Sequence, residues 1–128
     1  MIPKVLNLGP MRHKNTWMGL QDVQLLDETV SPPEPITLTN AKIILNVYAQ
    51  RGVPPILSIT TDMTPPYSPT AIVGIVVDTA GTPPGTFCTI GPVLLPDNVV
   101  CGKYWWDLTM ILVNGMVETP FEGSWLVV

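Results

Sequence analysis

Residues 102–128 read GKYWWDLTMILVNGMVETPFEGSWLVV, and they give the clearest indication of the fold. Two runs rich in apolar and aromatic residues flank Asn114-Gly115, a dipeptide that strongly favours the tight turn of a β-hairpin. A two-residue loop places Val113 opposite Met116 and fixes the register of every earlier pair. The sequence therefore predicts that the chain closes with two long antiparallel strands.

Side chains alternate between the two faces of a strand, so this register assigns one set of residues to a single face. That face is almost wholly apolar, and we interpret it as the core face. Gly123 lies opposite Trp106 on it, and the missing side chain is expected to leave room for the indole ring. The predicted core residues are Tyr104, Trp106, Leu108, Met110, Leu112, Val117, Phe121, Trp125 and Val127.

The opposite face of the hairpin is mixed, because it carries Trp105 and Ile111 beside Asp107 and Glu122. Two interpretations stay open. Trp105 and Ile111 form a second contact surface, or loops of the same domain cover them.

Proline organises the rest of the chain, with 15 in 128 residues, several of them in pairs such as Pro54-Pro55. Each pair interrupts helix and central strand alike. Short runs rich in Val, Ile, Leu and Thr lie between the pairs, which is typical of strands separated by loops. The predicted strands are 17–26, 41–49, 56–60, 71–77, 86–90, 93–95, 103–113 and 116–127.

This pattern predicts an all-β fold, most simply an antiparallel β-sandwich, with a small barrel as the alternative. Residues 1–16 contain few alternating positions and are predicted to form an extended N-terminal arm. Residues 17–128 are then a single sandwich domain, a size that suffices for one core. The strand at 41–49 carries few charges, so we expect it to be a sheet edge that an assembly covers.

The charge content is low, because Asp, Glu, Lys and Arg make up only 12% of the chain, about half the usual quarter. One interpretation is an ordinary domain with a neutral, Thr-rich surface. The other is a subunit whose surface is largely covered by neighbouring proteins.

The net charge of −4 and the absence of a basic stripe argue against a nucleic-acid ligand. No run reaches the roughly 18 apolar residues of a membrane span, and Met1-Ile2-Pro3-Lys4 begins no signal peptide. We therefore expect synthesis in a cytoplasm and no membrane contact. Cys88 and Cys101 lack metal-site spacing and are predicted to be small core residues rather than a disulfide.

Nothing in the sequence assembles a catalytic or metal site. His13 is the single histidine and lies in the predicted arm, which does not suit a Ser-His-Asp or Cys-His arrangement. No phosphate-binding or calcium-binding loop is present, so we expect no enzyme activity and no cofactor. Trp17 and Trp105 are the two tryptophans left as platforms for stacking on a sugar, and carbohydrate recognition is an alternative function.

Two segments carry a family resemblance. Residues 102–108, followed by the Asn114-Gly115 turn and residues 121–128, resemble the G-x-Y-x-W-D-L … G-x-V-x-V ending of small domains in tailed-bacteriophage structural proteins. Residues 35–43 (PITLTNAKI) are similar to a segment that precedes a strand in the same group. The chain departs from the pattern at Asn40, usually Gly, and at Trp125, usually a smaller β-branched residue.

The resemblance implies an immunoglobulin-like sandwich of the baseplate upper protein or tail or fibre adaptor type. It implies no catalytic residue. The expected role is a virion structural protein of the neck, tail or baseplate, assembled in the host cytoplasm with other virion proteins and as a homo-oligomer. A capsid decoration protein is the alternative within the same class.

In this interpretation the arm docks on a neighbour, by arm exchange or by strand addition at a sheet edge. The basic cluster in the arm and the apolar side chains outside the core are the candidate contacts. The candidate interface residues are Arg12, His13, Lys14, Trp17, Trp105 and Ile111.

Overall fold

The computed structural model describes residues 4–27, 29–61, 71–80 and 83–128. Every regular element in these ranges is a β-strand, and the sheets together curl into a half-barrel. The strands are β1 (Lys4–Val5), β2 (Leu8–Met11), β3 (Thr16–Trp17), β4 (Leu20–Gln24), β5 (Leu26–Asp27), β6 (Glu34–Pro35), β7 (Lys42–Tyr48), β8 (Leu57–Thr60), β9 (Ala71–Val73), β10 (Ile75–Asp78), β11 (Phe87–Ile90), β12 (Val93–Leu94), β13 (Gly102–Ile111) and β14 (Val117–Val127).

The main sheet has the order β1-β14-β13-β7-β8-β9, and β2 also pairs with β14. Its four central strands are antiparallel to one another. The edge strands pair in parallel with their neighbours. Strands β1 and β2 run parallel to β14, and strand β9 runs parallel to β8. The all-β prediction is confirmed, but a wholly antiparallel arrangement is wrong, because β1, β2 and β9 join the sheet through parallel pairings.

A second sheet of order β10-β11-β4 continues from the main one. The two sheets join at Gly74, which separates β9 from β10. Its N–H donates to the Thr60 carbonyl (3.0 Å) and its carbonyl accepts from the Gly91 N–H (2.7 Å). A Cβ at Gly74 would lie 2.9 Å from Cγ2 of Ile59 and 3.0 Å from Cγ2 of Val93. The predicted strand 71–77 is therefore two short strands that meet where glycine permits close approach.

The final hairpin has the predicted register over its aromatic half. Tyr104 pairs with Trp125, Trp106 with Gly123, and Asp107 with Glu122. The apolar face determines this register, because a slip by one residue would move every aromatic side chain to the other face.

The turn half of the hairpin differs from the prediction. Ile111 pairs with Val117, and the Leu112 N–H donates to the Met116 carbonyl (2.9 Å). The loop therefore has three residues, 113–115, with Gly115 at a φ of +86°, as in hairpins that close with a glycine bulge. Asn114 and Gly115 do form the turn, but not a two-residue one.

A second irregularity restores the register. Between Leu108 and Met110 the partner strand uses one extra residue, so Met110 pairs with Glu118 rather than with Thr119. Pro120 lies within this bulge and is buried. Proline suits the position because it has no N–H to contribute to the ladder.

The prediction that the strand at 41–49 is a sheet edge is wrong. Strand β7 lies between β13 and β8 and pairs with both along its length. Ile43, Leu45 and Val47 are fully buried, and Ile44 on the other face is buried as well. The low charge of this strand therefore reflects a central position in the sheet.

The predicted first strand, 17–26, is interrupted twice. Thr16–Trp17 pairs with Val93–Leu94, Leu20–Gln24 joins the second sheet, and Leu26–Asp27 pairs with Glu34–Pro35. Gly19 lies at the first interruption with a φ of +83°, outside the strand region, and a Cβ there would lie 1.7 Å from the Ile90 carbonyl oxygen.

The core lies on the predicted face of the hairpin. Tyr104, Trp106, Leu108, Met110, Trp125 and Val127 are buried, whereas Leu112 and Phe121 are partly buried against the same core. Val117 is 63% exposed, so its assignment to the core is wrong; the three-residue loop and the bulge move it to the outer face beside Ile111.

The two cysteines have different environments. Cys88 is fully buried, and burial raises the pKa of its thiol to about 12. Cys101 is exposed, so the prediction that both are core residues is wrong for Cys101. Both are free thiols.

Candidate functional site

Residues 4–13, here called the leading segment, lie against the last strand of the same chain. Strands β1 and β2 run parallel to β14, and the Leu6 N–H donates to the Glu122 carbonyl (2.8 Å). The Val128 N–H donates to the Met11 carbonyl (2.7 Å) and the His13 N–H to the Val128 carbonyl (2.9 Å). The Met11 side chain is buried in the core. Within the predicted arm, strands β1 and β2 thus form one edge of the main sheet.

Trp106 and Gly123 form a slot for this segment. The Trp106 indole Nε1 donates to the Leu6 carbonyl over 2.8 Å. A Cβ on Gly123 would lie 2.0 Å from the same carbonyl oxygen. Gly123 was expected to make room for the indole ring, but its missing side chain makes room for the backbone of the leading segment. A lone glycine within an otherwise apolar strand was the sequence signal for a close approach.

Asn7 adds a side-chain contact to the slot. Its Oδ1 accepts from the Ser124 N–H (3.1 Å) and from the Ser124 hydroxyl (3.0 Å). The sequence analysis missed Asn7, Ser124 and Leu6, because nothing local marks two segments about 117 residues apart as neighbours.

The predicted basic cluster follows the leading segment. Arg12 and Lys14 are exposed, and His13 is half-buried. The His13 ring Nε2 lies 3.5 Å from the Asp97 carbonyl oxygen. Lys14 has a φ of +64°, and the Asn15 N–H donates to the Arg12 carbonyl (3.1 Å), so the cluster forms a tight turn.

Trp105 borders a surface pocket of about 330 Å³. The Arg51 guanidinium lies 4.7 Å from the centre of its ring, and the Lys103 ammonium lies 5.7 Å from it. Tyr48 pairs with Trp105 across the sheet and lines the same pocket. Trp105 is half-buried. Cations of the same domain cover part of its ring, and the rest of the ring faces the pocket. The face is therefore neither a fully open contact surface nor fully covered by loops of the same domain.

Two carboxylates lie in the floor of this pocket. Asp107 and Glu122 are direct cross-strand partners. Burial raises the pKa of Asp107, the Glu122 charge raises it further, and the nearby Tyr48 hydroxyl opposes the shift. One Asp107 oxygen, Oδ1, is buried and accepts no hydrogen bond from the described residues. The pocket thus presents an aromatic ring, the Arg51 guanidinium and two carboxyl side chains to a polar ligand.

Trp17 does not form a free platform. Its ring lies 4.5 Å from that of Trp125, at an interplanar angle of 61°, and it packs partly buried against the core. Trp105 is therefore the better placed of the two predicted platforms.

The tip of the final hairpin is apolar and exposed. Val113 is 73% exposed, Met116 53% and Val117 63%. Ile111, a candidate interface residue, is half-buried and pairs with Val117. These four residues, here called the apolar tip, are neighbours at one end of the longest hairpin.

Among the described ranges, no three of the His, Cys, Asp and Glu side chains are grouped so as to hold a metal ion. The part of the chain that the structure describes also has no helix long and apolar enough to cross a membrane.

Comparison with known proteins gives no significant match to a protein-family model, to a curated protein or to a solved structure.

Proposed function

We propose that the protein is a non-enzymatic structural subunit of a bacteriophage particle, placed in the neck, tail or baseplate and assembled through protein–protein contacts. The observation that carries the proposal is the apolar tip, where Val113, Met116 and Val117 are each more than half exposed. Single exposed apolar residues are ordinary, but an apolar cluster at a projecting hairpin is typical of an interaction site.

The composition supports the same role. With 12% charged residues, few charges are available to keep separate copies apart. The resemblance of residues 35–50 and 102–128 to small domains of tailed-phage structural proteins supplies the virion setting. It also supports an immunoglobulin-like sandwich, in which the main sheet and the β10-β11-β4 sheet are the two layers.

The test is incorporation into particles of the virus that encodes the chain. We expect antibody labelling to place the chain at one station of purified particles in a fixed copy number. A variant with Val113→Thr, Met116→Thr and Val117→Thr should remain folded and be lost from the particles. Labelling of the head surface would instead identify a capsid decoration protein. A chain that is abundant in infected cells but absent from particles would contradict the proposal.

One observation favours a second candidate, carbohydrate recognition. Trp105 lines the pocket together with Arg51, Asp107 and Glu122, so a stacking platform lies beside charged hydrogen-bonding groups. Titration with a panel of mono- and oligosaccharides, followed by tryptophan fluorescence, tests this function. Binding lost in Trp105→Ala and kept in Arg12→Ala would support it, and an unchanged signal across the panel would exclude those sugars as ligands.

A further inference from the structure

The leading segment is held by contacts that another copy of the same segment can make equally well. Three of them are the backbone bonds of Leu6, Met11 and His13 to the last strand. Trp106 adds its bond to the Leu6 carbonyl, and the Asn7 side chain pairs with Ser124. All of these connect the segment to β13, to β14 or to Val128 directly after it, and none depends on which copy of the chain supplies the segment.

The slot requires an occupant. Without the leading segment, the Trp106 Nε1 would lose its acceptor, and the space left by Gly123 would be empty. An unsatisfied polar group and an open strand edge both favour binding of an added strand.

The connection that folds the segment back onto its own chain is strained. Lys14 adopts a left-handed conformation (φ +64°) in the turn between Arg12 and Asn15. This region is unfavourable for a residue with a side chain that does not stabilise it. An extended connection would relieve the strain, and strained short hinges favour exchange of the segment they hold.

We propose that the leading segment is exchanged between copies, so that residues 4–13 of one chain occupy the Trp106–Gly123 slot of a second copy of this chain. This proposal rests on the role as a structural subunit, where the local concentration of copies is high. Exchange retains every slot contact and changes only the hinge, so the closed and exchanged forms differ little in free energy and mass action selects between them.

Disulfide trapping tests the exchange directly. The Asn7 and Ser124 side chains already touch at 3.0 Å. We would replace the exposed Cys101 by serine and prepare two single variants, Asn7→Cys and Ser124→Cys. The two full-length chains are mixed at high concentration, refolded together and oxidised.

We expect a covalent dimer that joins the two variants. A mixture of Gln50→Cys with Ser124→Cys measures collisional cross-linking, because Gln50 is exposed and is not a strand partner of Ser124. The doubly substituted chain should form linked dimers at high concentration and an intrachain disulfide on dilution. A mixture that gives no more dimer than the Gln50→Cys control would overturn the proposal.

The hinge supplies an independent measurement. Lys14→Gly removes the strain of the left-handed residue and leaves the slot intact. Relief of one strained residue in each copy should raise the dissociation constant of the exchanged dimer about tenfold or more, measured by light scattering over a dilution series. An unchanged dissociation constant would contradict a strained hinge as the cause of exchange.

The two proposals fail separately. If no trans disulfide forms but the chain is present in particles, the structural role stands and the exchange is wrong. If the trans disulfide forms but the chain is absent from particles, the copies exchange segments but the virion role is wrong.

Discussion

At the residue scale, Trp106 connects the core to the edge of the sheet. It is 2% exposed, so its ring belongs to the core, yet its indole N–H reaches the Leu6 carbonyl. Trp105, its neighbour in sequence, faces the other way and contacts Arg51 and Lys103. Two adjacent tryptophans therefore have different roles because strand side chains alternate.

Replacing Trp106 by phenylalanine removes the indole N–H that donates to the Leu6 carbonyl but keeps an aromatic ring in the core. We expect a loss of about 1–3 kcal/mol in the free energy of unfolding, because the Leu6 carbonyl is left without its donor. The matched change Trp105→Phe should cost about 1 kcal/mol or less, since it weakens a partly exposed cation–π contact. Urea denaturation of both variants checks this, and equal losses would contradict the role of the indole N–H.

Asp107 should make stability depend on pH. Its folded-state pKa is raised above 3.8, chiefly by burial, so the folded state holds the proton more tightly than the unfolded state does. Its charged form therefore destabilises the fold as pH rises through the window above 3.8. Asp107→Asn should raise the melting temperature at pH 7, and the gain should disappear as the pH falls to about 3.8.

Asp27 is a control for Asp107, because its pKa is shifted in the opposite direction. The Thr29 hydroxyl and N–H donate to its carboxylate and lower its pKa, so its contribution is present above pH 3.8 and is lost as the pH falls through its folded-state value. Asp27→Asn should therefore lower the melting temperature slightly at pH 7 and have no effect in acid. Shifts of the same sign for the two variants would contradict this assignment.

At the scale of elements, the change of sheet between β9 and β10 depends on Gly74. The backbone bonds of this residue to Thr60 and Gly91 connect both sheets, and the Ile59 and Val93 side chains both approach the position that a Cβ would occupy. A continuous strand through 71–77 would have kept the chain in one sheet. The glycine thus determines where the half-barrel turns.

Gly74→Ala should cost about 1–3 kcal/mol, because the added methyl group overpacks the contact with Ile59 and Val93. Val93→Ala also destabilises by itself, but it opens space for that methyl group. We therefore expect the double variant to lose less stability than the sum of the two single variants. Chemical denaturation of the four proteins measures this coupling, and simple additivity would contradict the steric explanation.

At the scale of the whole molecule, the leading segment belongs to the fold rather than to a separate arm. It contributes the buried Met11 and the acceptor for Trp106. Under the exchange proposed above, the chain would remain closed when dilute and would link to other copies when concentrated.

Removal of residues 1–11 should therefore destabilise the chain strongly. Loss of the buried Met11 side chain alone is expected to cost about 2–5 kcal/mol, and the unpaired Trp106 N–H adds about 1–3 kcal/mol. Thermal unfolding measures the effect, and a synthetic peptide of residues 1–13 should restore part of the melting temperature. A truncated chain as stable as the parent would show that the slot contributes little.

The all-β class, the approximate places of most strands and the register of the aromatic half of the final hairpin could be predicted from the amino-acid sequence. These features are local, because side-chain alternation and one apolar face leave a single acceptable pairing for Tyr104, Trp106 and Leu108. The register of the turn half was predicted wrongly, because the bulge at Pro120 and the three-residue loop shift the pairing by one residue. This shift places Val117 outside the core.

The position of each strand in the sheets could not be predicted and is known from the three-dimensional fold. Strand β7 is central, β1 and β2 are parallel to β14, and Leu6 lies on Gly123, although no local pattern marks any of these contacts. The same is true of the pocket, which brings Arg51 to Trp105 from a distant loop. The physical reason is that pairing between distant segments depends on the space and the unpaired backbone groups left by the rest of the fold.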